Sequence, residues 1–273
     1  MELIAELGIN HNGDLKLAKE MILAAYNVGA TCVKFQKRCP DICVPNDQKG
    51  ILRETPWGVM TYLNYKKRIE FEKKEYNEIN RYCNSLGIDW SASAWDIPSL
   101  EFLLAYEIPF IKIASASLTS DPLLEKIADS GVPVILSTGM STEAEISHAV
   151  NILTGCDLTL MHCVSGYPTA NIDLNLNKIK TLHNQYPRNR IGYSGHEIGY
   201  LPTLIARSMG AEVIERHFTI DRTLWGSDQS ISLLPSEFKI MADLLKEIPD
   251  MLGTGKMEVM CSELNCLKKL RGI

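Results

Sequence analysis

Phe110-Ile111-Lys112-Ile113-Ala114 reads as a short strand buried on both faces, interrupted by one lysine and followed by the hydroxyl of Ser115. Near-continuous apolar character over a few residues marks a parallel strand covered by helices, whereas a half-exposed strand would alternate. Seven similar runs flank it. Upstream lie Leu3–Leu7, Thr31–Phe35 and Ile88–Ser93; downstream lie Pro133–Ser137, Leu158–Val164, Arg190–Ser194 and Glu212–Phe218.

Helix-period segments separate these runs. Leu15–Val28 places Leu17, Ala18, Met21, Ile22 and Ala25 on one stripe. Tyr76–Leu86, Ser99–Tyr106, Pro122–Ser130, Thr142–Leu153, Leu176–Gln185, Leu201–Met209 and Pro235–Leu245 follow. Ser99, Ser120-Asp121-Pro122 and Ser141-Thr142 mark helix starts, and glycines such as Gly87 mark stops. Eight β-α units in regular succession predict an α/β fold of the TIM (β/α)8 barrel type, one domain over residues 1–273. A doubly wound open sheet is the structural rival, but the first turn, Gly8-Ile9-Asn10-His11-Asn12-Gly13, lacks the G-x-G-x-x-G pattern. One connection is unusual: Lys37–Glu75, between the second strand and its helix, is too long to be idle.

Composition narrows the function classes. At 273 residues, 45% hydrophobic and 22% charged, the chain is far too apolar for a disordered one. The net charge is −5 and no basic stripe interleaves with aromatics, so a nucleic-acid partner is not expected. No apolar run has the roughly 20 residues of a membrane span. Met1-Glu2 opens directly into a strand, so no signal peptide and a cytoplasmic location are expected. The eight cysteines include no C-x-x-C pair and read as reduced core residues.

In a TIM barrel the active site lies at the C-terminal ends of the strands. The polar residues there are Glu6 and Asn10; Lys34 and Gln36; Ser93; Lys112, Ser115 and Ser117; Ser137 and Thr138; His162 and Ser165; Ser194 and His196; His217 and Thr219. Lys34 and Lys112 stand in otherwise apolar strands and must meet an anion. Three partners are open: a buried carboxylate such as Glu6, a phosphate or carboxylate ligand, or a Schiff-base substrate. His196 and His217 close neighbouring strands, and two neutral imidazoles with open positions suit a divalent metal. His11, His148 and His183 fall on turns or helices and are expected to be solvated; His162 is expected either on the rim or facing the core.

At these residues the chain resembles the N-acetylneuraminate (sialic acid) synthase family of phosphoenolpyruvate-condensing barrels. The resemblance runs through IAELGINHNG, VKFQ, FIKIAS, ILSTGMS, HCVSGYPT, GYSGH and ERHFT, over nearly all the chain. It implies condensation of phosphoenolpyruvate with an N-acyl amino sugar aldehyde to a nine-carbon 2-keto acid plus phosphate. It implies Mn2+ or Mg2+ on His196 and His217. Lys34, Ser93, Lys112, Ser115 and Ser194 match the phosphoenolpyruvate cradle, with Tyr167 nearby. Glu6 matches a carboxylate beside the reacting centre, and Gln36 and Asp228 match sugar-side contacts. A homo-oligomer, a dimer, is expected on the same ground.

Three departures shape the expectation. Ser165-Gly166 stands where relatives often carry an asparagine before YPT, and Ser117 where many carry a glutamate. The chain stops at Arg271-Gly272-Ile273, where many relatives continue into a C-terminal antifreeze-like domain. The Lys37–Glu75 loop is therefore expected to act as a lid, with Trp57, Tyr62 and Tyr65 over the sugar and Lys66, Lys67 or Arg68 on an anion. The rivals are a Schiff-base aldolase on Lys112, another metal-dependent barrel enzyme, and a non-catalytic sugar-phosphate-binding barrel.

Overall fold

The computed structural model describes residues 1–272. Ten strands follow in chain order: β1 (Glu2–Gly8), β2 (Cys32–Lys37), β3 (Leu52–Arg53), β4 (Met60–Thr61), β5 (Asp89–Ala94), β6 (Ile111–Ile113), β7 (Val134–Ser137), β8 (Leu158–Cys163), β9 (Arg190–Gly195) and β10 (Val213–His217). All but β3 and β4 form one closed parallel barrel, in the order β1-β10-β9-β8-β7-β6-β5-β2. The eight expected strands are all present, with ends moved by no more than two residues. The fold is a TIM barrel.

Two apolar layers hold it. Outward-facing strand residues such as Leu3, Leu7, Phe35, Ile113 and Leu160 pack against the helices in one continuous core. Inside the barrel, Ile4, Cys32, Phe110, Ile135, Met161 and Val213 form a separate apolar plug. Because side chains alternate along a strand, the inward position two residues beyond each plug residue faces the space above it. Those positions are Glu6, Lys34, Lys112, Ser137, Cys163 and Glu215. The fold thus stacks a polar layer on an apolar floor.

The helices match the expected segments, with instructive shifts at their ends. Lys73–Leu86 begins three residues before Tyr76, because Glu75 reaches back to accept from the Glu72 N–H at 3.1 Å, one half of a capping box. It ends at Gly87, whose φ of +72° supplies the left-handed cap that a Cβ would disfavour. Thr142 and Glu145 form the same kind of box at the start of Glu143–Ile152. The expected start at Ser99 moves to Ile97, because Asp96 accepts from the Ser99 N–H. The last barrel helix continues to Leu252.

The segment Lys37–Glu75 is not an irregular loop. It holds a short helix (Pro40–Cys43), the β3–β4 hairpin and a helix (Tyr62–Ile69) capped by Thr61. A buried ion pair ties it down: Lys37 Nζ lies 3.0 Å from Glu70 Oε1 and donates to the Phe71 carbonyl at 2.8 Å. Tyr65 and Ile69 pack on Ile9, beside the end of β1. All eight cysteines are free, and no described helix is long and apolar enough to cross a membrane.

Candidate active site

The polar layer lines a cavity of about 230 Å3 at the C-terminal ends of the strands. Eleven of the thirteen expected site residues line it: Glu6, Lys34, Gln36, Ser93, Lys112, Ser115, Ser165, Tyr167, Ser194, His196 and His217. Their convergence follows from register. Glu6 is paired in the sheet with Lys34 and His217, Ser93 with Lys112, and Ser194 with Glu215.

Each buried lysine meets a buried carboxylate. Lys34 Nζ lies 2.6 Å from Glu6 Oε2 and donates to Ser93 Oγ at 3.0 Å. Lys112 Nζ reaches both oxygens of Glu215 at 3.0 and 3.1 Å, and Ser194 Oγ donates to Glu215 at 3.1 Å. Of the three partners open to Lys34, the buried carboxylate Glu6 is the one in contact with it. Glu215 is the functional residue missing from the sequence reading. Its signal was the i, i+2 spacing to His217 in Glu215-Arg216-His217, which puts both side chains inside the barrel. Arg216 faces outward into a buried pair with Glu197 at 2.9 Å.

The two carboxylates are electrostatically unlike. Burial pushes the Glu6 carboxyl upward, against the pull of Lys34, and the neighbouring Glu215 adds to the rise. Glu215 is just as buried, but Lys112 and Lys34 together hold it below the usual carboxylate range. Environments that separate two acids in this way assign one to proton exchange and the other to a fixed negative charge.

The imidazoles are neutral. Burial, reinforced by His217, pushes His196 down to about 4, and burial lowers His217 as well. His196 Nδ1–H donates to the Val164 carbonyl at 2.7 Å, leaving the Nε2 lone pair toward Tyr167, whose hydroxyl is 3.2 Å away. His217 Nδ1 is buried without a hydrogen-bond partner, with Asp228 Oδ2 at 3.9 Å. Two neutral imidazoles with ring centroids 5.5 Å apart, one of them with an unpartnered nitrogen, suit a divalent cation. Among the described residues no three His, Cys, Asp or Glu side chains group as a complete ligand set.

A hydroxyl-lined nook completes the cavity. Gly139 N–H donates to Ser115 Oγ at 3.0 Å, and a Cβ on Gly139 would stand 2.5 Å from Ser165 Oγ, 2.8 Å from Ser115 Oγ and 2.9 Å from Cys163 Sγ. On the opposite side Gln36 donates to Glu6 Oε1 at 3.0 Å and accepts from Arg38.

Several expectations are corrected. Arg68 stacks on Trp57 at 4.5 Å and lines a separate groove with Asn12 and Trp225, because its helix turns that face away from the mouth. Asp228 is not among the residues that line the cavity, and its Oδ2 lies 3.9 Å from His217 Nδ1. None of residues 37–75 lines the cavity; Tyr65 and Ile69 of that segment rest on Ile9, beside the end of β1. His11 is buried, not solvated: it stacks on Phe71 at 4.0 Å and accepts from the Gly13 N–H. His162 points outward from β8 and donates to the Leu174 carbonyl at 2.8 Å, away from the rim. His183 is half-buried and donates to the Gly210 carbonyl, while His148 is exposed as expected.

Comparison with known proteins gives the family of the chain. The NeuB family profile matches residues 21–257. An N-acetylneuraminate-9-phosphate synthase from Drosophila melanogaster is 42% identical over 88% of this chain and 65% of its own length. The Homo sapiens N-acetylneuraminate-9-phosphate synthase is 36% identical over 98% of this chain and 76% of its own length. The crystal structure of an N-acetylneuraminic acid (sialic acid) synthetase from Leptospira borgpetersenii superposes with a TM-score of 0.87 at 37% identity, covering 98% of this chain and 92% of that one. The chain belongs to the NeuB family.

Proposed function

We propose that this protein condenses phosphoenolpyruvate with an N-acyl amino sugar aldehyde, giving a nine-carbon 2-keto sugar acid and inorganic phosphate. As a NeuB family member it is a carbon–carbon bond-forming transferase of the sialic acid synthase type. The observation that carries the fuller reading is the polar layer itself: two lysines and a hydroxyl nook on one side, two neutral imidazoles on the other.

Lys34 and Lys112, with Ser93, Ser115 and Ser194, hold the carboxylate and phosphate of phosphoenolpyruvate through charge-assisted hydrogen bonds. The four charges of Lys34, Lys112, Glu6 and Glu215 sum to zero. A proton on Glu6 leaves the layer net positive, and burial already favours that proton. His196 and His217 would hold Mn2+ or Mg2+, which when bound supplies Lewis-acid polarisation of the aldehyde oxygen. The enol carbon of phosphoenolpyruvate then forms a bond to the aldehyde carbon, the carbonyl π pair moves onto the aldehyde oxygen, and that oxygen takes up a proton to become a hydroxyl. Water adds at the electron-deficient C2, with Glu6 exchanging its proton, and loss of phosphate leaves the 2-keto group. Glu215 stays ionised and fixes the direction of both lysines.

A Schiff-base mechanism fits less well, because both Glu215 oxygens and the Lys112 Nζ are already committed to each other. The test is phosphate release from phosphoenolpyruvate, Mn2+ and a panel of N-acyl amino sugars. Release requiring both organic substrates supports the proposal. Trapping of pyruvate on Lys112 by borohydride, without dependence on phosphoenolpyruvate, overturns it.

A further inference from the structure

A buried polar cluster lies on the outer face of the two strands whose ends carry the imidazoles. Arg216 is fully buried, and Glu197, Tyr193 and Thr203 are buried around it. Arg216 Nη1 donates to Glu197 Oε1 at 2.9 Å, to Thr203 Oγ1 at 2.8 Å and to the Gly199 carbonyl at 2.7 Å. Its Nη2 donates to the Glu197 carbonyl at 2.7 Å. The Glu197 carboxylate also accepts from the Tyr193 hydroxyl at 2.8 Å and from Thr203 Oγ1 at 3.2 Å. Gly195 leaves the room for it: a Cβ there would stand 2.6 Å from one Glu197 oxygen and 2.8 Å from the other. Desolvating two charges offsets much of their attraction, so such a pair adds little stability over an apolar contact of the same size. What it adds is fixed direction.

The cluster stands one residue from each imidazole. Glu197 follows His196, and Arg216 precedes His217. The paired register of β9 and β10 ends at Gly195 with Arg216, one residue short of His196. Past that point His196 is tied toward β8: its Nδ1–H donates to the Val164 carbonyl at 2.7 Å, and its carbonyl accepts from the Thr169 N–H at 3.1 Å. The Arg216 guanidinium supplies the tie toward β10. From the position just before His217 it grips the carbonyls of Glu197 and Gly199, in the chain just after His196. A planar fork that reaches several acceptors fixes direction as well as distance, which a single ammonium does not.

We propose that Arg216 and Glu197 are positioning residues for the metal: the pair sets the separation and tilt of the His196 and His217 rings, and with them the affinity for a divalent cation. This rests on the metal-binding reading above. Neither side chain lines the cavity, so the pair acts through the backbone that carries the imidazoles. Groups that orient metal ligands from behind change metal affinity about 10–100-fold when they are removed. The phosphoenolpyruvate side is insulated from the pair. Its lysines stand on β2 and β6, which adjoin neither β9 nor β10. Glu215, the neighbour of Arg216 that holds Lys112, is fixed within the ladder by its pairing with Ser194.

The experiment titrates Mn2+ calorimetrically into wild-type protein and Arg216→Lys, and titrates phosphoenolpyruvate separately without Mn2+. The substitution keeps the charge but loses the fork. Mn2+ affinity should fall about tenfold or more while phosphoenolpyruvate affinity stays within about twofold. Thr203→Val, a neutral change that removes one acceptor from Arg216, serves where Arg216→Lys does not fold. It should weaken Mn2+ binding about threefold, the loss of one buried hydrogen bond, and again spare phosphoenolpyruvate. Unchanged Mn2+ affinity in the folded variant overturns the proposal and leaves the metal reading standing. Equal losses for both ligands also overturn it, because a general loosening of the fold would give them. Absence of Mn2+ binding to the wild-type protein overturns the metal reading itself, and the proposal with it.

Discussion

Lys112 and Glu215 lie 103 residues apart in sequence, yet Lys112 Nζ sits 3.0 Å from one Glu215 oxygen and 3.1 Å from the other, across the barrel from β6 to β10. Glu215 also stands 3.8 Å from Lys34, so one carboxylate faces two ammonium groups. Removing it leaves two buried cations near each other. Glu215→Ala should therefore cost about 3–5 kcal/mol of stability. Denaturant unfolding measures this, and a loss below about 1 kcal/mol would show that the lysines find another partner.

The lysines themselves should report on phosphoenolpyruvate. Lys34→Ala or Lys112→Ala should weaken its binding tenfold or more, the loss expected for a buried charge-assisted contact. Isothermal titration with phosphoenolpyruvate checks it; unchanged affinity in both variants removes the cradle.

Gly139 offers a subtler probe of the same side. Gly139→Ala puts a Cβ within 3 Å of Ser165, Ser115 and Cys163, filling the nook without adding charge. The expected result is a tenfold or greater rise in phosphoenolpyruvate KM with little change in the KM of the sugar. Equal rises in both would place the nook elsewhere in the reaction.

Chelation should abolish turnover, and added Mn2+ should restore it. His217→Ala should lose calorimetric Mn2+ binding while its circular dichroism stays native, since a strand-end imidazole contributes little to the core. Full turnover of this variant in excess chelator would remove the metal from the mechanism.

His11 predicts a pH dependence of stability. Burial pushes its imidazole down to about 3 in the folded chain, against an ordinary 6.5. The unfolded chain then binds a proton that the folded chain refuses between these values. Stability is full above about 6.5 and falls as pH drops toward 3, by about 1.4 kcal/mol per unit. His11→Gln should flatten that part of the unfolding free energy against pH; an unchanged slope would assign it to other groups.

The sequence by itself determined the barrel and most of its mouth. Local hydrophobic period marked all eight barrel strands, and inward alternation from residues such as Ile4 and Phe110 carries Glu6 and Lys112 into the polar layer. These are properties of a few consecutive residues, so one chain suffices to read them. The pairing of Lys112 with Glu215, the turning away of Arg68 and the burial of His11 against Phe71 were decided only by the tertiary structure. Each depends on the rotation of a helix or the seating of a connection against a distant strand, and local sequence period carries no information about that. The segment 37–75 shows the limit most clearly. Its aromatic and basic residues were legible, but which of them meet the mouth was settled by Lys37 binding Glu70 and Tyr65 packing on Ile9, long-range contacts that fix where the whole segment rests.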